Sequence, residues 1–137
     1  MDIVFSANNF EESIKLPVVP PSLEISSPRK NEEFETIQMG TINLLGLKGL
    51  RTLSIQSFFP MKNYPFVKDK RNGWDYVNFL NKWSDKRVPI RIIITDKAGK
   101  EVLNMPCTVE NFTYGLDRIG DIQYTLEIKE FRFVEVK

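Results

Sequence analysis

The chain has 137 residues, 42% of them hydrophobic and 27% charged, which suits one domain with enough apolar material for a real core. A net charge of +1 removes any overall attraction to nucleic acid or anionic membrane and leaves only local patches to consider. The absence of histidine excludes Ser-His and Cys-His catalysis, and a lone cysteine excludes an internal disulfide and an ordinary zinc site.

From the N-terminus, Phe5 to Ala7 and Ser13 to Leu16 read as two short strands joined across Asn8-Asn9. The segment Met1 to Phe5 carries no basic-then-apolar leader pattern, so no secretory signal is expected. Pro17, Pro20 and Pro21 impose an extended connection, after which Leu23 to Ser26 alternates as a strand. The charged run Ser27 to Glu33 reads as a solvated loop. A longer strand is expected from Phe34 to Leu45, with apolar parity changing from Ile37 and Met39 to Ile42 and Leu44. Gly40 is where a bulge would cost least. Gly46 and Gly49 punctuate a tight connection into the alternating strand at Leu53 to Gln56, which ends at Phe58-Phe59-Pro60.

One helix is predicted, Gly73 to Ser84, with Tyr76, Val77, Leu80 and Trp83 on a single stripe for packing against a sheet. Asn72 is placed to cap it, and Asp75 suits the positive end of its dipole. Pro89 to Thr95 then reads as a strand with Ile90, Ile92 and Ile94 inward. Asp96-Lys97-Ala98-Gly99 forms its turn, and Val102 to Tyr114 returns, with Pro106 marking an edge or bulge. Parity slips again between Cys107 and Val109 and the pair Phe112 and Tyr114. Cys107 itself reads as a small buried hydrophobe. The last strand starts near Asp121 with Ile122, Tyr124, Leu126 and Ile128 on one face. A third slip is expected at Lys129-Glu130, before Phe131 and Phe133. Eight or nine strands with one helix, several of them bent, predict a curved antiparallel sandwich or barrel in a single domain, residues 1–137. The apolar runs fall far short of the ~20 residues of a membrane-spanning helix.

Several segments, taken in order, carry a family resemblance: Leu16-Pro17-Val18-Val19-Pro20-Pro21, Gly40 to Gly46, Leu53 to Pro60, Pro89 to Thr95, and Gly120 to Arg132. Together they resemble the tail protein family of the defective prophage PBSX, which recurs in Firmicute myophages and contractile bacteriocins. Longer members of that family continue into a peptidoglycan-binding LysM domain. The chain stops at Lys137, where such an extension would begin, so the N-terminal domain alone is expected, with no LysM domain.

The resemblance implies a structural, non-enzymatic virion component of the tail baseplate, assembled in the bacterial host cytoplasm and similar to the tube initiators of contractile injection systems. It implies a β-sandwich of the tail-tube type with one flanking helix, arranged as a hexameric ring. The implied partners are further copies of itself, the tail tube protein, baseplate hub and wedge proteins, and the tape-measure protein, with DNA only as passing cargo and no membrane. No cofactor, metal or catalytic residue is implied. Gln38, Gln123, Thr125 and Glu127 are candidates for a polar lumen face, or equally for an ordinary solvated sheet face.

The loop before the helix interleaves Lys62, Lys68, Lys70 and Arg71 with Tyr64 and Phe66, a pattern open to a protein contact, to single-stranded nucleic acid, or to no special role. A second reading of the whole chain is therefore a small β-barrel that binds nucleic acid or glycan through this loop. A third is carboxylate chemistry at Asp96, Glu101, Glu110 or Asp117, which form no paired motif.

Overall fold

The computed structural model describes residues 1–38, 40–46 and 48–133. Nine strands and one helix follow in the order β1 (Asp2–Ala7), β2 (Glu12–Lys15), β3 (Ile25–Ser26), β4 (Glu32–Thr36), β5 (Gly40–Leu44), β6 (Thr52–Phe59), α1 (Gly73–Asp85), β7 (Ile90–Thr95), β8 (Glu101–Leu116) and β9 (Ile122–Glu130). Seven strands make one antiparallel sheet in the order β2-β1-β7-β8-β9-β6-β3, while β4 and β5 pair only with each other. The protein is mainly β, with a bent antiparallel sandwich and a flanking helix.

The bend lies in β8. Its first part, Glu101 to Cys107, pairs with β7, and its second, Cys107 to Leu116, pairs with β9. Val109 faces Ile128 and Asn111 faces Glu127, so Glu110 is the extra residue of a bulge, as the parity slip predicts. The wings β2-β1-β7 and β9-β6-β3 share one core, where Ile3, Phe5 and Ile92 join Ile55, Phe59 and Leu126. Cys107 is in it, and burial pushes its thiol up to about 12.

Alternation was otherwise a reliable guide. Ile90, Ile92 and Ile94 point inward from β7, and Ile122, Tyr124, Leu126 and Ile128 from β9. The Asn8-Asn9 turn closes β1 on β2 with Asn8, Asn9 and Phe10 all at positive φ. Asp96 closes β7 on β8, its Oδ1 accepting from the N–H groups of Ala98 (2.9 Å) and Lys100 (3.0 Å).

Three expectations need correction. Phe34 to Leu45 is not one bulged strand but a hairpin, with Thr36 paired to Gly40 across the turn. The parity change there is a reversal of direction, and Gly40 supplies the positive φ of +73° that it needs. Met39 lies outside the described residues, as do the side chains of Ile42 and Leu44. The third slip is a strand end: β9 stops at Glu130, whose carboxylate takes Arg51 Nη2 at 3.2 Å, while Phe131 and Phe133 lie beyond it. Pro106 marks an edge, as expected, and not the bulge: it pairs with Arg91 of β7 and with no residue of β9. Its carbonyl accepts from Phe131 N–H at 2.9 Å, so its missing donor faces the point where β9 has ended. Of Leu23 to Ser26 only Ile25 and Ser26 are strand.

Helix α1 starts as predicted, the Asn72 side chain accepting from Trp74 N–H at 2.9 Å, with Asp75 in the first turn. Tyr76, Val77, Leu80 and Trp83 are buried, and Phe79 joins them. The helix ends on Arg87 at φ +57°, whose N–H donates to Ser84 O at 3.1 Å. Glycine is the usual residue for that left-handed position. Arg87→Gly is therefore expected to stabilise the fold by roughly 1 kcal/mol, the left-handed penalty being offset in part by glycine's greater freedom when unfolded. A thermal melt that does not rise by a few degrees would contradict this.

Candidate assembly surfaces

Strand lengths decide which backbone edges are paired. Pro89 precedes β7, which begins opposite Cys107, so among the described residues Thr108 to Leu116 of β8 has no strand on the β7 side. The opposite edge of Glu101 to Met105 has none of them on the β9 side. β3 covers only Thr52 and Leu53 of β6, leaving Ser54 to Phe59 without a ladder to any described residue on that edge. Beside the first of these edges sits an aromatic and aliphatic patch. Trp74 and Tyr114 meet edge-on at 6.4 Å, and Leu116 and Ile119 are exposed. Open ladders next to exposed apolar side chains are what a pairing surface requires.

The outward face of β6, β9 and β8 is polar and built in cross-strand rows. Thr52, Lys129 and Thr108 form one row, then Ser54, Glu127 and Asn111, then Gln56, Thr125 and Thr113. Gln123 stands between Phe58 and Gly115 at the end. Three of the four expected lumen residues, Gln123, Thr125 and Glu127, thus share one face. Gln38 does not: it lies in the β4–β5 turn. A groove of about 890 Å³ runs along the β3 side of this face, lined by Pro20, Pro21, Glu24, Gln56, Glu110 and Glu127.

Phe58 is the one large apolar side chain on that face, and the loop 60–72 folds over it. Tyr64 and Phe66 stack at 5.1 Å and meet Phe58 edge-on at 6.2 and 6.4 Å. The loop is held by Asp121, which is 1% exposed. Its Oδ1 accepts from Met61 N–H at 2.8 Å and its Oδ2 from Tyr64 Oη–H at 2.6 Å. Burial pushes this carboxyl up, but the hydrogen bonds from Tyr64 and Met61 and the charge of Lys62 outweigh it and hold it below the ordinary value. The same bond raises the Tyr64 phenol.

The six residues expected of a partner-contact loop are therefore together, but their charges are unequal in use. Lys68 Nζ meets Asp2 Oδ1 at 2.8 Å, and that hydrogen bond holds Asp2 below its usual value. Arg71 donates to Ser13 O at 2.8 Å and meets Asp69 at 3.6 Å. Lys62 and Lys70 have no ion-pair partner among the described residues. Half the positive charge that a nucleic-acid groove would use is already spent on the fold.

Of the carboxylates considered for catalysis, Asp96 and Asp117 fold their own turns. Asp117 Oδ1 accepts from Ile119 N–H at 3.1 Å and Asp121 N–H at 2.9 Å. Glu110 accepts from the Thr108 hydroxyl at 3.0 Å, and Glu101 is exposed at the start of β8. Among the described residues no group of acidic or cysteine side chains is arranged to hold a metal, and no helix is long and apolar enough to cross a membrane. Sequence reasoning missed the Asp121 clamp, whose only local trace is a carboxylate just before a strand, and the separate hairpin, whose trace was Gly40 between two runs of opposite parity.

No family model matches the chain. It is 29% identical over 126 residues to the uncharacterized protein YqbP of Bacillus subtilis (strain 168), covering 89% of this chain and 56% of that protein. The chain thus spans just over half the length of that relative. Among solved structures, a chain from the tail of an empty gene transfer agent particle with C6 symmetry superposes with a TM-score of 0.60 at 12% identity, covering 99% of this chain and 95% of that one. A chain from the virion of the native gene transfer agent particle gives 0.58 at 16% identity, covering 96% and 92%. Both likenesses establish the fold.

Proposed function

We propose that the chain is a non-enzymatic structural subunit of a phage-type tail, a ring-forming tube initiator that joins the central hub of a contractile baseplate to the tail tube. The observation that carries this is the set of unpaired ladders on β8 and β6 in a fold shared, over nearly its whole length, with a six-fold symmetric particle tail. A strand of a neighbouring copy laid along Thr108 to Leu116 satisfies the backbone groups that β7 leaves open, and Trp74, Tyr114 and Leu116 supply apolar area at the same boundary. Repeating that contact closes a ring, for which six copies are the proposed number.

In such a ring the polar face of β6, β9 and β8 lines the channel through Gln123, Thr125 and Glu127. Threonine, serine, asparagine and glutamine rows there, with Glu127 beside Lys129, offer a passing tape-measure protein or DNA hydrogen bonding without a strong field of either sign. The resemblance to the PBSX tail proteins supports the baseplate-proximal position, and the tail tube, hub and wedge proteins are the proposed neighbours.

Immunogold electron microscopy of purified particles carrying this chain tests the reading. Label is expected at one end of the tail, at the junction of tube and baseplate. Particles that carry no label, together with no ring formed on adding tail tube protein, would sink it.

A further inference from the structure

Among the described residues the β4–β5 hairpin joins no other strand. Its two strands pair only with each other, and an isolated two-stranded hairpin is at best marginally stable in water. Yet its stem is firmly built. Arg29 bridges Lys48, Gly49 N–H donates to Pro28 O at 2.9 Å, and Arg132 reaches the carbonyls of Lys48 and Gly49, each at 3.2 Å. At Gly46 a Cβ would stand 1.3 Å from Lys30 O, so only glycine permits this closure. The result is an arm of roughly 15–20 Å, from five residues per strand. Ile37 at its turn is fully exposed, at 105%.

The arm is also charged in one sense. Residues 32–44 contain Glu32, Glu33 and Glu35 and no basic residue. All three are exposed, and none has an ion-pair partner among the described residues. The complementary surface on the same molecule is the loop 60–72. It leaves Lys62 and Lys70 without ion pairs among the described residues and presents Phe66, 56% exposed, stacked on Tyr64, whose hydroxyl donates to Asp121. Near the end of α1, Lys82 is bound to Glu12 and Lys86 lies over the Trp83 ring, so among the described residues Arg87 alone of the three is outside such a contact, and it has no neighbouring free cation.

We propose that the acidic β4–β5 arm of one copy docks on the basic, aromatic loop 60–72 of a second copy, Glu33 and Glu35 meeting Lys62 and Lys70 while Ile37 covers Phe66. This contact rests on the self-assembly proposed above and adds a second, head-to-tail interface to it. The interface is heterologous, so copies continue around a ring or from one ring to the next. Asp121 and the stacked Tyr64 and Phe66 already hold the loop without the arm, which lowers the ordering cost of association.

The test compares self-association of the wild type with Glu33→Lys/Glu35→Lys, with Lys62→Glu/Lys70→Glu, and with all four changes combined, by sedimentation across a concentration series at low and high salt. Each double reversal is expected to weaken association by about tenfold or more, because like charges then face each other. The combined variant should recover to within about threefold of wild type, a rescue that misfolding cannot produce. Wild-type association should weaken with salt. If the wild type assembles and the reversals leave it unchanged, or if the combined variant shows no recovery, the arm contact is wrong while ring assembly stands. If the wild type remains a monomer throughout, self-assembly fails and the arm contact with it.

Discussion

Phe59→Ala is expected to cost about 3–5 kcal/mol, the range for emptying a large aromatic site in a packed core. Phe59 is fully buried and is the middle of three stacked rings, 4.1 Å from Tyr124 of β9 and 5.0 Å from Tyr76 of α1. It packs β6 against both its neighbouring strand and the helix. Each stacked pair adds something beyond area burial, and both are lost together. Domains of this size are stable by only about 5–15 kcal/mol, so the variant should unfold at much lower denaturant. Urea titration followed by tryptophan fluorescence reads this directly, because Trp74 and Trp83 sit on the same helix. The midpoint should fall with little change in slope. A loss below about 1 kcal/mol would mean that the site collapses freely and that the ring stack does not hold the helix.

Asp121→Ala is expected to cost roughly 2–3 kcal/mol, since a covered carboxylate that accepts two hydrogen bonds leaves the Met61 N–H without its partner. The effect has a location as well as a size. The loop 60–72 loses its clamp, and the backbone around the exposed Lys62, Lys68, Lys70 and Arg71 becomes freer to enter the trypsin site in the otherwise folded protein. Limited proteolysis should therefore cut the variant in this loop well before the wild type. Equal cleavage rates would show that the Tyr64, Phe66 and Phe58 contacts hold the loop unaided.

A pH dependence follows from the same group. Its folded carboxyl lies below the unfolded value of about 3.9, so the stability it contributes is fully present above that value and is lost as pH falls through the folded one. Asp2, held down by Lys68, Glu12, held down by Lys82, and Glu130, held down by Arg51, act in the same direction. The stability of the wild type should therefore begin to fall below about pH 5 and continue to fall as pH is lowered, with a shallower slope in Asp121→Ala.

For assembly, these two results divide the labour between core and surface. Phe59 fixes the relation of α1 to the sheet and so the position of Trp74 beside the open edge of β8. Asp121 fixes the loop that faces the proposed arm. A ring built on strand edges should tolerate loss of the second better than loss of the first.

The amino-acid order alone determined what depends on neighbours a few residues apart. Period-two alternation marked β1, β6, β7 and β9. The 3.6-residue stripe and the Asn72 cap marked α1, and Asp96 with Gly99 marked a turn. Each is a local interaction, written within one or two turns of chain. Parity changes were legible too, but their meaning was not. A bulge at Glu110, a reversal at Gly40 and a strand end at Glu130 all leave the same mark in the residue pattern, and only the pairing partner tells them apart. Edges are likewise a matter of relative length: Thr108 to Leu116 is open on the side away from β9 because β7, elsewhere in the chain, is short. Asp121 acts on groups 57 and 60 residues away, and the arm becomes visible only when β4 and β5 are seen to join no sheet. Tertiary structure decided these because each depends on how distant segments meet in space, and a linear pattern does not encode that distance.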